Sequence, residues 1–130
     1  MNYTQLAEEA IKAKSKAYSP YSKFHVGAAL LTENNKIYLG ANIENSSYSL
    51  TICAERTAVF NAYLEGERKF KAIAIASDAE DFCPPCGACR QVISDLCSNI
   101  DVVLVNQKKE TKIFKLAELL PFAFGDKDLK

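Results

Sequence analysis

The sequence carries no excess charge of either sign: 16 Lys and Arg balance 16 Asp and Glu over 130 residues. A nucleic-acid binder draws much of its affinity from basic residues that neutralise phosphates. The balance therefore argues against a nucleic-acid partner. The charges are interspersed, with no long block of one sign. No stretch approaches the ~18 continuous apolar residues that cross a bilayer, so no membrane partner is expected. Met1 to Leu6 offers neither a basic start nor an apolar run, so no secretory signal is read there and a cytoplasmic location is expected. Internal repeats, linkers and low-complexity tracts are also missing. His25 is the only histidine, and a lone histidine fits a structural or solvent-facing role better than a metal site.

The length suits one domain over residues 1–130. Hydrophobic residues make up 48% of the chain, enough for a sizeable core. Apolar positions at Leu6, Ala7, Ala10, Ile11, Ala13 and Ala17 predict a first helix over 4–18, with Thr4 as N-cap. Ser19-Pro20-Tyr21-Ser22 breaks it. Two apolar runs, 24–32 and 36–43, flank Glu33-Asn34-Asn35-Lys36 and predict a hairpin. A second helix is expected over 53–65, stopped at Gly66. A buried strand follows over 70–76, a helix over 87–97 and a β-branched strand over 102–105. A weaker strand near 112–114 and a short helix over 115–120 complete the pattern. This order predicts an α/β fold, a mixed sheet with helices on both faces.

Five cysteines stand out: Cys53, Cys83, Cys86, Cys89 and Cys97. An odd count with three crowded together makes a poor disulfide framework. In a reducing compartment such a cluster more often binds metal or does redox work. Cys53-Ala54-Glu55-Arg56 and Cys86-Gly87-Ala88-Cys89-Arg90 both fall at expected helix starts. Free N–H groups and partial positive charge there favour thiolate over thiol. Cys86 and Cys89 share one helical turn, and Cys53 can add a third sulfur. Three thiolates on zinc leave one coordination position open, the mark of a catalytic site. A carboxylate at Glu55 could then move protons to and from water held there. Other readings remain. Cys83-Pro84-Pro85-Cys86 is itself a C-x-x-C of the redox type, and Cys83 could close a four-sulfur structural site. A zinc-stabilised interaction module without catalysis is a third. Cys97 reads as a core residue.

The combination of Cys-Ala-Glu with Pro-Cys-x-x-Cys resembles the short-chain, homotetrameric cytidine deaminases. The likeness extends to Phe24-His25-Val26-Gly27-Ala28-Ala29-Leu30, to Asn42-Ile43-Glu44-Asn45 with Tyr48, and to Leu119-Leu120-Pro121-Phe122-Ala123-Phe124. Zinc deaminases pair three protein ligands with a glutamate that is not a ligand. The resemblance implies a three-layer α/β/α fold with a mixed five-stranded sheet. It also implies one zinc ion per chain, held by Cys53, Cys86 and Cys89. Glu55 would be the proton shuttle between water, ring nitrogen N3 and the departing amino group. Arg56 would hydrogen-bond the ligand sulfurs. Phe24 would pack on the pyrimidine, Asn42 and Glu44 would bind the sugar hydroxyls, and the Ala54 backbone would meet the base. Tyr48 and Phe124 would reach the site from a neighbouring subunit. The implied reaction is hydrolytic deamination of cytidine and deoxycytidine, as in pyrimidine salvage. Other aminopyrimidine nucleosides and cytosine in an oligonucleotide are the competing substrates. His25 stands where this family often has proline, and Cys83 also departs from the pattern.

Overall fold

The computed structural model describes residues 2–129. Helix α1 spans Tyr3–Lys14. Strands β1 (Val26–Thr32) and β2 (Ile37–Ala41) form the expected hairpin. Asn35 in its turn takes φ +66°, a conformation that asparagine tolerates better than most residues. Helix α2 (Ala54–Leu64), strand β3 (Phe70–Ser77), helix α3 (Gly87–Cys97) and strand β4 (Asp101–Val105) follow. Strand β5 (Thr111–Lys115) leads into the one-turn helix α4 (Leu116–Leu119).

Most elements differ from the sequence reading by a residue or two at their ends, and three boundaries bear on the argument. Asn2, not Thr4, caps α1, its side chain accepting the Gln5 N–H. The same helix stops at Lys14 rather than running to 18, because Tyr18 N–H bonds the Asn42 carbonyl in a bridge beyond β2. Phe24 sits in the loop before β1, not in the strand. Gly66 does end α2, with φ +88° and its N–H on the Tyr63 carbonyl.

The strands lie in the order β2-β1-β3-β4-β5. Only β3 and β4 run parallel, and α3 connects them, so the sheet is mixed. Alternation along each strand divides the core in two. Ala28, Leu30, Ile73, Ile75, Val102 and Leu104 face α2, α3 and α4. Ala29, Leu31, Ala72, Ala74, Ala76, Val103 and Val105 face Leu6, Ala7 and Ala10 of α1. Helices therefore cover both faces, giving the expected three α/β/α layers. Among the described residues, no helix is long and apolar enough to cross a membrane.

Two close approaches set the helices against the hairpin. A Cβ on Gly27 would lie 2.2 Å from the Ala10 carbonyl oxygen of α1. One on Gly40 would lie 2.3 Å from the Ala54 carbonyl oxygen and 2.4 Å from Ala58 N of α2. Backbone cannot retreat as a flexible side chain does, so α2 must move away from any larger residue there. Gly40 thus fixes the height of the α2 N-terminus, where Cys53 and Glu55 stand. Gly40→Ala is expected to destabilise the fold by about 1–3 kcal/mol, the range for overpacking a tight core. Denaturant unfolding beside the parent protein measures it.

Candidate active site

The sheet gathers its chemistry at one end. The start of β1, the end of β2 and the end of β3 all lie there, because β1 runs antiparallel to both neighbours. The N-termini of α2 and α3 point to the same end. Cys53 is the N-cap of α2 and Cys86 the N-cap of α3. The Cys89 N–H reaches Cys86 Sγ at 3.5 Å. Thr57 returns both its N–H and its hydroxyl to the Cys53 carbonyl, holding the first turn of α2 closed.

The sulfurs of Cys53, Cys86 and Cys89 all lie within 4.8 Å of one another. Cys53 Sγ and Cys86 Sγ are 4.0 Å apart. Sulfurs on a tetrahedral zinc ion at about 2.3 Å would be about 3.8 Å apart, so the set fits that ion. Cys83 stands outside the set. It lines the neighbouring cavity instead, and burial and the Glu55 charge push its thiol up. The four-sulfur reading therefore fails. Cys97 is buried in the core as expected, and burial pushes its thiol up to about 12.

Charge in the cluster is shared unevenly. Hydrogen bonding from Cys89 and from Arg56 brings the Cys53 thiol down to about 5 against its burial. Arg56 Nη2 donates to Cys53 Sγ at 3.3 Å. The Cys89 thiol moves the other way, raised by its hydrogen bond to Cys53 and by burial. One sulfur ionises readily and makes the next harder to ionise. Three thiolates together need a cation among them, which is the demand that zinc answers.

Glu55 lies in the first turn of α2 and is only 4% exposed. Burial pushes its carboxyl up to about 7, and the Cys53 charge adds to that. A carboxyl balanced near neutrality can both take and give a proton. Glu55 opens onto a cavity of about 270 Å³. Phe24, Asn42, Glu44, Tyr48, Cys53, Ala54 and Cys86 line the same cavity, with Ser22, Ile75 and Ser77. Most residues singled out from the sequence are thus brought together. Tyr48, 59% exposed on a short 3-10 turn, lines this chain's own cavity, although it was expected to serve a neighbour's. Phe124 is not brought in. It is 57% exposed and lines a separate hollow of about 460 Å³ beside α3 and α4. The larger hollow lacks the sulfurs and Glu55, so the smaller cavity is the site.

Sequence reasoning missed two residues here. Arg90 was given no role. Its Nε donates to the Pro85 carbonyl at 2.8 Å and its Nη1 to the Leu119 carbonyl at 2.9 Å. It ties the loop before Cys86 to the C-terminal segment. Ser22 was read only as part of a helix break, yet it lines the cavity. His25 takes the structural role expected of it: its Nδ1 lies 2.7 Å from Asp78 Oδ2, and Lys14 Nζ lies 3.2 Å from the other oxygen.

A family model described as the cytidine and deoxycytidylate deaminase zinc-binding region matches residues 1–106. The chain belongs to this deaminase family. A cytidine deaminase of Sporosarcina psychrophila is 52% identical over 130 residues, covering 99% of this chain and 96% of that one. One from Halalkalibacterium halodurans is 50% identical, over 99% of this chain and 98% of its own. The crystal structure of the Burkholderia pseudomallei cytidine deaminase superposes with a TM-score of 0.93 at 46% identity, covering 95% of this chain and all of the other. That of Mycobacterium tuberculosis gives 0.83 at 34% identity, over 96% and 98%. Within this deaminase family fold, the three-sulfur set predicts the outcome of one substitution. Cys86→Ala should drop bound zinc from one ion per chain to well below it, read by metal analysis of the purified protein.

Proposed function

We propose that this chain hydrolyses cytidine and deoxycytidine to uridine and deoxyuridine with release of ammonia. One observation carries the reading. Glu55, buried and held near neutrality, shares a single small cavity with a three-cysteine set, an aromatic ring and two further polar side chains. Cys53, Cys86 and Cys89 would hold zinc. When bound, the ion supplies Lewis acidity that makes a water nucleophilic near neutral pH.

The chain's own residues do the rest. Glu55 takes a proton from the attacking water and passes it to ring nitrogen N3 as the water oxygen bonds to C4. Glu55 then moves the remaining hydroxyl proton to the amino nitrogen, the C4–N bond breaks, and ammonia departs. Carbon 4 is left as a carbonyl and N3 keeps its proton. Arg56 offsets part of the thiolate charge, which would otherwise weaken the ion's pull on water. Phe24 packs on the pyrimidine, and the Ala54 backbone meets its polar edge. Asn42 and Glu44 take the sugar hydroxyls. Such a slot suits a neutral base better than a phosphate, in keeping with the chain's zero net charge.

Residues 1–130 would act as one domain of a cytoplasmic homotetramer with sites shared between subunits. The exposure of Tyr48, Phe122 and Phe124 supports burial against other copies of the chain. Light scattering should then give about four times the 14.4 kDa chain mass. A monomer that turns over at the full rate would overturn the shared site.

The decisive assay is ammonia release from cytidine by the zinc-loaded protein. Glu55→Ala should keep zinc and the parent's melting temperature, yet lose turnover by about 10²–10⁴-fold, the range for a positioned acid–base group. A folded, zinc-loaded parent that leaves cytidine intact would overturn the reading.

A further inference from the structure

The loop that carries Phe24 is held by the side chains assigned above to the sugar. Glu44 is buried just beyond β2. Its Oε1 accepts the Tyr21 N–H at 3.0 Å and the Ser22 N–H at 3.1 Å. The Ser22 hydroxyl donates to Oε2. That hydroxyl also accepts the Phe24 N–H at 3.0 Å. On the other side of the same residue, Asn42 Nδ2 donates to the Phe24 carbonyl at 2.8 Å, while its Oδ1 accepts the Val26 N–H at 2.9 Å. Both polar ends of Phe24 are therefore gripped from the sugar side of the cavity. Asn42 grips one end directly. Glu44 reaches the other only through Ser22.

We propose that Ser22 is a positioning residue that couples recognition of the sugar to placement of the Phe24 ring against the base. The proposal rests on the assignment of Glu44 to the sugar and Phe24 to the base. A carboxylate has two oxygens, and Oε1 of Glu44 is committed to two backbone donors. Only Oε2 remains to meet a sugar hydroxyl, and the Ser22 hydroxyl decides where it points. The chain N–H to hydroxyl to carboxylate runs in one direction, so each bond polarises the next. A hydroxyl drawn to Glu44 is a better acceptor for Phe24. Lys23, between Ser22 and Phe24, adopts φ +59°. That conformation is uncommon outside glycine and needs surroundings that hold it. The Ser22 bridge spans it.

A nucleoside with hydroxyls at C2′ or C3′ uses both ends of the bridge, whereas one that keeps only its 5′-hydroxyl uses only the ring end. Ser22→Ala should lower kcat/KM for cytidine about tenfold, mainly through KM, as expected for loss of a hydrogen bond to a charged group. For 2′,3′-dideoxycytidine the loss should be at least about threefold smaller. The ratio of the two specificities therefore falls. Ser22→Thr, which keeps the hydroxyl, should restore it. Should the alanine variant unfold, Ser22→Cys keeps the size, weakens the donor and repeats the measurement. A purely structural serine would lower both substrates alike, so an unchanged ratio in a folded variant overturns the coupling. Failure of the parent to deaminate cytidine would instead overturn the functional reading on which it rests.

Discussion

Three sulfur atoms held within a few ångströms cannot all be charged unless a cation sits among them. Much of the arrangement at this end of the sheet answers that constraint. Two helices begin there, and at the start of α3 the Cys89 N–H reaches Cys86 Sγ. Arg56 brings a fixed positive charge to Cys53. Glu55, one residue before it, is pushed up toward neutrality by burial, and the charge of the same sulfur adds to that. One helical turn therefore contains a sulfur of the cluster, a counter-charge and a carboxyl raised toward neutrality. Their separation follows from helix geometry rather than from loop conformation.

The sheet makes this turn rigid. Gly40 lets the α2 backbone rest directly on β2, and Gly27 does the same for α1 on β1. The α1 side of β3 is built of alanines, Ala72, Ala74 and Ala76, so α1 lies close there too. Larger residues, Ile73 and Ile75, fill the opposite side beneath α2 and α3. With α2 seated against a five-stranded sheet, Cys53 has little room to drift. The cavity wall formed by the 19–24 loop is held differently, by hydrogen bonds to Glu44 and Asn42 rather than by apolar packing.

These two kinds of support explain what could be read in the sequence. Cys53 with Glu55, and Cys86 with Cys89, were legible because the spacing within each pair is local and the helix starts are marked by the chain itself. That the two pairs, 33 positions apart, belong to one set was implied by the family resemblance. The faces of β1, β3 and β4 were legible locally too, as hydrophobic runs flanked by breakers. Long-range partners left no local sign. The α1 helix ends early because Tyr18 is drawn to Asn42, which lies across the sheet edge in space and far along the chain. Ser22 bonds a carboxylate 22 positions away. Arg90 reaches Leu119, 29 positions on. A single sequence shows such residues only as a serine in a turn and an arginine on a helix. Phe124 was named from likeness alone, and within one chain it stays apart from the cavity.

The reach of Arg90 bears on how the protein is made. The carbonyl it needs belongs to Leu119, 29 positions further on, while the loop it steadies precedes Cys86. Domains generally assemble as synthesis proceeds from the N-terminus. A nascent chain will have exposed all three cysteines well before Leu119 leaves the ribosome. The sulfurs are thus available to metal, and to oxidants, during an interval in which their loop lacks its last anchor. The closing of that interval is set by the emergence of Leu119, 29 positions beyond Arg90, rather than by the metal site itself.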